Sequence, residues 1–514
     1  MSRSHSFPSH PAFDDDEKKL IETEAKSIRI DLQPVFIRQE APEEFEEITC
    51  AEIEQNIGRT KKSSTPGEDG ISYQMLTNGG QKLVGLLMVL FNTLLLTGYF
   101  PEKWRNVSIK MIPKPGKSKS NVDGYRPISL SSCLSKIYEQ SLRARVSKSM
   151  VNKKNENLAQ SAYKPKRSSQ EHTLRLTEKV YQAMNQRKCV LVVFLDVRGA
   201  FDRIWVDGLI VKLHRWRLPR FLLRSIKSFM TNRSLRIHEG NSISRLIKMF
   251  AGVPQGSVIS PQLFNLYVDD IAELLPEGVF IAQYADDIAI WMDSSCPRFA
   301  EWKLGEALKA IEKWTRMWRV ELEPSKSSFI LFSRCPTHRR LKISLQLHGI
   351  EIPQVKHARF LGIIFDEKLD WTQQINSLVG RTSSRIHLLR NIAAKSRWRH
   401  PQETLRFFDA LVKSVVDYAG PCILTMKISL WEKLEKVHSR AIKSFAGVPR
   451  FVGYSTICNH LFVPRWKTSI EEAATKRIGG ILASSPFEEE MKSNALIVAN
   501  PIYESPVAKC LRQI

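Results

Sequence analysis

Residues Val190 to Leu195 read VLVVFL and run straight into Asp196. Six consecutive apolar positions, mostly β-branched or aromatic, predict a strand covered on both faces. Its end is a poor place for a carboxylate. The same contradiction recurs downstream, where the apolar stretches Val279–Ala285 and Ile288–Met292 are separated only by Asp286-Asp287. Ionised carboxylates beside a core are costly unless something compensates them, and adjacent acids also repel. A divalent cation with hard oxygen ligands is the natural compensation. Three carboxylates on neighbouring strand ends could hold a pair of Mg²⁺ ions about 3.5–4 Å apart, the arrangement used for phosphoryl displacement. An exposed hairpin turn would account for Asp286-Asp287 equally well. Asp269-Asp270 are a second acidic pair, but they fall in a helical pattern, where consecutive side chains do not face each other. A solvated helix face is expected for them.

Charge narrows the partners. The 514 residues hold 77 Lys or Arg against 53 Asp or Glu, a formal +24. Residues 1–50 are net acidic, so residues 51–514 carry +30. A surplus of that size points to a polyanion, because each Lys or Arg placed on a phosphate releases condensed counterions. The eight cysteines are scattered with no CxxC pair, which argues against a disulfide framework or a zinc knuckle and for a reduced, intracellular protein. No apolar segment follows the N-terminus, so no secretory signal is expected. Leu83–Leu96 is the most hydrophobic stretch. It is short for a bilayer span and interrupted by Asn92, and it is expected to be a buried helix stopped by Gly98 rather than a membrane anchor.

Along the chain, residues 1–45 are acidic and poor in periodicity and are expected to form a flexible tail. Thr49-Cys50-Ala51-Glu52 is a capping-box signal for a short helix. Strands are expected at Val107–Ile112, Phe329–Phe332 and Phe360–Phe365, and helices over Arg203–Trp216 and from Ser260-Pro261 to about Leu275. A further helix carries Leu304, Leu308, Ile311, Trp314 and Trp318 on one face. Beyond Trp371 the sequence turns helical and basic. The pattern is an α+β domain followed by a helical one.

Three segments then occur in order: Phe194-Leu195-Asp196-Val197-Arg198-Gly199-Ala200-Phe201-Asp202, Gly252-Val253-Pro254-Gln255-Gly256, and Tyr284-Ala285-Asp286-Asp287. Upstream lie Ile112-Pro113-Lys114-Pro115-Gly116-Lys117 and Gly124-Tyr125-Arg126-Pro127; downstream lie Leu322-Glu323-Pro324-Ser325-Lys326 and Phe360-Leu361-Gly362-Ile363. This set closely resembles the reverse transcriptases of non-LTR (LINE-type) retrotransposons of the jockey and I-like kind, over roughly residues 46–460. The resemblance implies an α+β right-hand polymerase, with fingers and palm over 46–368, a helical thumb or connection over 369–460, and an unassigned C-terminal segment, 461–514.

The resemblance also implies roles. Asp196, Asp286 and Asp287 would bind two Mg²⁺ ions, with Mn²⁺ as a substitute. Lys114 and Arg126 would clamp the triphosphate, Arg126 by its bidentate fork. Phe201 would pack under the incoming sugar and exclude ribonucleotides, Gln255-Gly256 would sit beside the templating pair, and Lys326 would act near pyrophosphate. Lys164, Lys166 and Arg167 would track template phosphates, and Phe360, Leu361 and Gly362 would support the primer end. For each of these outside the acidic triad there is a competing account: ordinary surface or loop charge for the basic residues, a plain turn for Gln255-Gly256, and core packing for Phe201 and Phe360–Gly362. The implied partners are an RNA template, a DNA primer or target, and dNTPs, with no membrane; the implied location is the nucleus. Nothing in the sequence sets an oligomeric state. The upstream endonuclease and downstream RNase H of some such elements are not recognisable, so the chain resembles the polymerase section of a larger reading frame or a truncated copy. Two other readings fit part of the pattern. One is a silent copy that only binds nucleic acid. The other is an RNA-templated RNA polymerase, which Phe201 disfavours.

Overall fold

The computed structural model describes residues 15–32, 45–114, 116, 118, 120–121, 124–151, 159–239, 242–395, 401–445, 447–496 and 504–512. The chain forms two compact units that interleave in sequence. One comprises 1–157, 197–274 and 311–322; the other comprises 158–196, 275–310 and 323–514.

In the first unit, β1 (Asn106–Pro113) pairs antiparallel with β2 (Tyr125–Leu130), while β4 (Arg233–Glu239) pairs parallel with β1 on its other side. Short strands β5 (Ser242–Ile243) and β6 (Ile247–Met249) complete the sheet from β4. The helix Cys50–Gly58 starts as its capping box requires, with Thr49 Oγ1 accepting from the Glu52 amide at 3.2 Å. The apolar helix Gly80–Thr97 ends at Gly98, whose φ of +67° gives the left-handed cap. It is buried along one face only, through Val84, Leu87, Phe91, Leu94 and Leu95. Leu86 and Val89 stand outward, 70% and 60% exposed, so the expected buried helix is buried on one face and open on the other. By length and composition alone this helix could cross a membrane.

The acidic N-terminal stretch also departs from expectation. Asp15–Asp31 is a helix rather than a flexible tail, while residues 1–14 and 33–44 lie outside the described residues. It buries Ile21, Ala25 and Ile28 at helical spacing, a narrow apolar stripe within an otherwise acidic segment. Glu24 pairs with Arg215, Glu22 with Arg319 and Arg29 with Asp207, so the acids are partners of the basic body.

The second unit is built on a four-stranded antiparallel sheet, ordered β7 (Phe280–Tyr284), β8 (Asp287–Ser294), β3 (Cys189–Asp196), β9 (Ser328–Phe332). As the apolar run predicts, β3 is interior to the sheet and its first seven residues are buried. The helix Ser169–Asn185 packs on this sheet, and one core joins Val190, Val192 and Ala289 to Leu430, Trp431 and Trp466 of the helical C-terminal region. Phe360–Phe365, expected as one strand, is a hairpin: His357–Phe360 turns at Leu361-Gly362 into Ile363–Asp366. Both turn residues have positive φ, +47° and +84°, which ends the first strand.

Candidate active site

The register of the four-stranded sheet decides which acids meet. Asp196 is the direct cross-strand partner of Asp287, and Tyr284 pairs with Asp287 across the two-residue turn Ala285-Asp286. Residues 91 positions apart therefore meet at one end of the sheet. Ala285 takes φ +55°, a conformation glycine adopts more readily. The buried Gln160 holds it there: its Oε1 accepts from the Ala285 and Ala162 amides, both at 3.1 Å, and its Nε2 donates to the Ala285 carbonyl at 3.4 Å. No motif pointed to Gln160. An amide that offers donor and acceptor to the same backbone residue is visible only once the fold brings 160 beside 285.

The other flank of Asp196 is pinned by the loop after Leu322. The Glu323 amide donates to the Asp196 carbonyl at 2.9 Å, and the Asp196 amide donates to Ser327 Oγ at 3.3 Å. This places Lys326 Nζ 3.6 Å from Asp196 Oδ2.

The three carboxylates face solvent, yet they act on each other. Burial, then Asp286, then Asp196 push the Asp287 carboxyl up to about 6. Tyr163 titrates high through burial and then Asp286, so it borders the same acidic edge. Among the described residues no three acidic, His or Cys side chains close on one point at metal-ligand spacing. The set nevertheless fits a divalent cation: hard oxygen donors, mutually repelling, on rigid strand ends.

The remaining residues implied in this unit separate into two groups. Phe360 is buried against Phe194, centroids 5.4 Å apart, and the Leu361 carbonyl accepts from the Tyr418 hydroxyl at 2.6 Å; a Cβ at Gly362 would meet Tyr418 at 3.3 Å. That turn is clamped to a helix, and Tyr418 is a second residue the sequence did not announce. Lys164 is half-buried and Lys166 is exposed, but Arg167 is 10% exposed and paired with the buried Glu171 at 2.8 Å. Arg167 is thus committed inside the protein, against the expectation of an open phosphate contact.

In the first unit, Lys114 donates its amide to the Gly124 carbonyl and lies two residues from Ile112, the cross-strand partner of Arg126. Alternation sets both basic side chains on one side of the β1–β2 ladder. The Gln255 carbonyl accepts from the Ser129 amide at 2.8 Å, and Gly256, φ +114°, approaches β2 so closely that a Cβ would sit 2.9 Å from the Ser129 carbonyl oxygen. Gln255 Nε2 donates to both carboxylate oxygens of Asp202, at 2.9 and 3.1 Å. Phe201 stacks on Phe264, centroids 5.0 Å apart and planes 19° from parallel.

Asp269-Asp270 differ from expectation. They open a 3₁₀ helix, and Asp270 Oδ1 accepts from Lys212 Nζ at 2.6 Å and from Trp314 Nε1 at 2.8 Å. Lys212 is 3% exposed, and burial lowers its pKa to about 8 while Asp270 counters. Asp270 is the counter-ion of a buried lysine, which a dipeptide cannot disclose.

Residues 112–365 match the family described as reverse transcriptase (RNA-dependent DNA polymerase), a family with the right-hand polymerase fold. Members of that family depend on divalent cations. More particularly, the chain is similar to RNA-directed DNA polymerases of jockey-kind mobile elements. It is 28% identical to the probable RNA-directed DNA polymerase from transposon BS of Drosophila melanogaster, over 80% of this chain and 46% of that protein. Against the RNA-directed DNA polymerase from mobile element jockey of the same species it is 27% identical, over 84% and 47%. The probable RNA-directed DNA polymerase from transposon X-element, also from Drosophila melanogaster, matches at 28% over 66% and 37%. The chain thus spans about half the length of the first two relatives. A solved apo telomerase from Candida tropicalis superposes at TM-score 0.36 and 14% identity, over 52% of this chain and 54% of that one, too loosely to bear on the fold.

Proposed function

We propose that this chain extends a DNA primer 3′-hydroxyl with dNTPs on an RNA template. The observation that carries the reading is the Asp196–Asp287 register pair with Asp286 on the adjoining turn. We assign β7, β8, β3 and β9 to the palm, the β1–β2 ladder to the fingers and residues 369–460 to the thumb. Asp196, Asp286 and Asp287 would hold two Mg²⁺ ions, which when bound lower the pKa of the primer hydroxyl and neutralise the triphosphate.

The chain's own residues supply the rest. Pinning of Asp196 by Ser327 and of the 285–286 turn by Gln160 fixes the carboxylates before substrate arrives, so little reorganisation is needed during reaction. Lys326, on the rigid 323–327 loop, presents an ammonium to departing pyrophosphate. Lys114 and Arg126 bind the triphosphate from one side of their ladder. Phe201, backed by Phe264, offers the sugar a flat apolar ring with no hydrogen-bond partner for a 2′-hydroxyl. Lys164 and Lys166 follow template phosphates, and the clamped Phe360–Gly362 turn supports the primer end.

Primer extension on an RNA template, comparing dNTPs with NTPs in Mg²⁺, tests the proposal. Extension with dNTPs alone is expected. Extension with NTPs alone would make the chain an RNA polymerase, and RNA binding without extension would make it a silent copy.

A further inference from the structure

Between Glu435 and Glu471 the chain has no acidic residue and six Lys or Arg. Within this interval stand the two most exposed large hydrophobic side chains among the described residues, Phe451 at 89% and Phe462 at 92%. Neither exposure comes from a loose chain. Ile442, Ile457 and Cys458 form a small buried cluster, with Val448, Tyr454 and Leu461 packed against it. The Tyr454 hydroxyl bonds His438 Nδ1 at 2.7 Å and accepts from the Trp466 amide at 3.0 Å. The Val448 amide donates to the Lys443 carbonyl at 3.0 Å, and the Val463 amide to the Cys458 carbonyl at 2.9 Å. Val448 and Tyr454 on either side of Phe451, and Leu461 beside Phe462, pack on this cluster while the rings stay out. Phe462 does so with φ +53°, an unfavourable backbone conformation for a bulky side chain.

Rigid, solvent-exposed aromatic rings in an acid-free basic segment match the chemistry of single-stranded nucleic acid. Each base has a π-face that stacks on such a ring, while Lys and Arg track the backbone. Arg465 is committed to Glu435 at 2.6 Å, which leaves Lys436, Arg440, Lys443, Arg450 and Lys467 as the cations of this stretch. A protein partner with acidic groups would suit the charge but would not need flat rings. We propose that Phe451 and Phe462 are stacking platforms for unpaired bases of single-stranded RNA, flanked by phosphate contacts from Arg450 and Lys467. The proposal rests on the reading that this chain takes an RNA template.

Stacking and phosphate contact leave different marks on salt dependence, and that separates them. Binding of labelled, unstructured polyuridylate to the full chain is measured by anisotropy from about 50 to 200 mM salt. Phe451→Ala and Phe462→Ala are each expected to weaken binding about tenfold at every salt concentration, with the log–log slope unchanged. Phe→Trp at either position should restore affinity and Phe→Leu should not. Arg450→Ala should instead flatten the slope by roughly 0.7 for one phosphate lost from a single strand. Both rings are on the surface, so thermal unfolding of the variants should match the parent.

A double alanine variant that binds RNA as tightly as the parent overturns the stacking surface while leaving the template reading intact. A parent that binds no RNA overturns the template reading itself. A parent that self-associates in sedimentation, with the double variant monomeric and unaltered in RNA affinity, would show these rings to be a protein contact. A deoxythymidine oligomer bound more tightly than the RNA, with the same dependence on both rings, would reassign the surface to a DNA strand.

Discussion

Glu178 is a fully buried carboxyl on the helix Ser169–Asn185, far from any mechanistic need, and it makes stability depend on pH in a calculable way. The Val507 amide donates to its Oε1 at 2.9 Å, and the side chain of Ser505 adjoins it. Burial outweighs both and pushes the Glu178 carboxyl up to about 8. In the unfolded chain the same group titrates near 4.5. The folded state therefore keeps a proton that the unfolded state gives up. Stability from this group is complete below 4.5 and is lost as pH rises, until it levels off above 8. Each pH unit in that window costs the folded chain about 1.4 kcal/mol, roughly 3 kcal/mol by pH 7. Glu178→Gln copies the protonated form: its Oε1 still accepts from Val507, and its Nε2 can donate to Ser505. We expect the variant to equal the parent near pH 4.5 and to exceed it by about 3 kcal/mol at pH 7, with unchanged primer extension. Urea unfolding across pH, with hydrogen exchange at the Val507 amide reporting the C-terminal helix directly, measures both. A gap that is constant with pH would refute the reasoning, because a packing change does not titrate.

The other predictions bear on the site and its frame. Asp286→Ala should abolish extension while RNA affinity stays within about twofold, and extension at the parental rate would end the metal assignment. Asp270→Ala should cost about 3–5 kcal/mol of stability in urea unfolding, because it strands the buried Lys212 ammonium; a loss below about 0.5 kcal/mol would mean the pair is inconsequential. Phe201→Val should raise NTP incorporation at least about tenfold relative to dNTP, and unchanged sugar discrimination would reduce the ring to a packing partner of Phe264. Asp202→Asn, which removes one of two acceptors fixing the Gln255 amide, should raise the dNTP KM several-fold with little change in kcat; a kcat effect alone would contradict that positioning role.

What the sequence disclosed was whatever is local or linear. VLVVFL announced an interior strand because burial on both faces leaves no polar positions. Thr49 announced a helix start because a cap is a contact three residues long. The acidic triad was legible as a contradiction, charge beside core, and register resolved it. Gln160, Tyr418 and Ser327 were illegible for one reason. Each acts through a hydrogen bond to a backbone group of another segment, and backbone groups carry no letter in the sequence. Arg167 and Asp270 were misjudged for a related reason. Arg167 is expected on template phosphate and Asp270 on a solvated helix face, yet each sits against an opposite charge supplied by the fold, Glu171 in one case and Lys212 in the other.

The same reasoning explains why the N-terminal acids deceived. Twelve acidic residues in the first fifty suggested a solvated tail, since a charged segment seldom buries enough apolar surface to order itself. That argument fails when the rest of the chain carries +30, because the acids then find partners on the body they precede. Ile21, Ala25 and Ile28 supply the apolar stripe and Glu22 and Glu24 the ion pairs, so composition and periodicity have to be read together. Exposed ion pairs contribute little singly, about 0–1 kcal/mol, and the stripe is what seats the helix. The helix pairs Glu22 with the largely buried Arg319 and Glu24 with the exposed Arg215, so part of the basic surplus is neutralised within the protein.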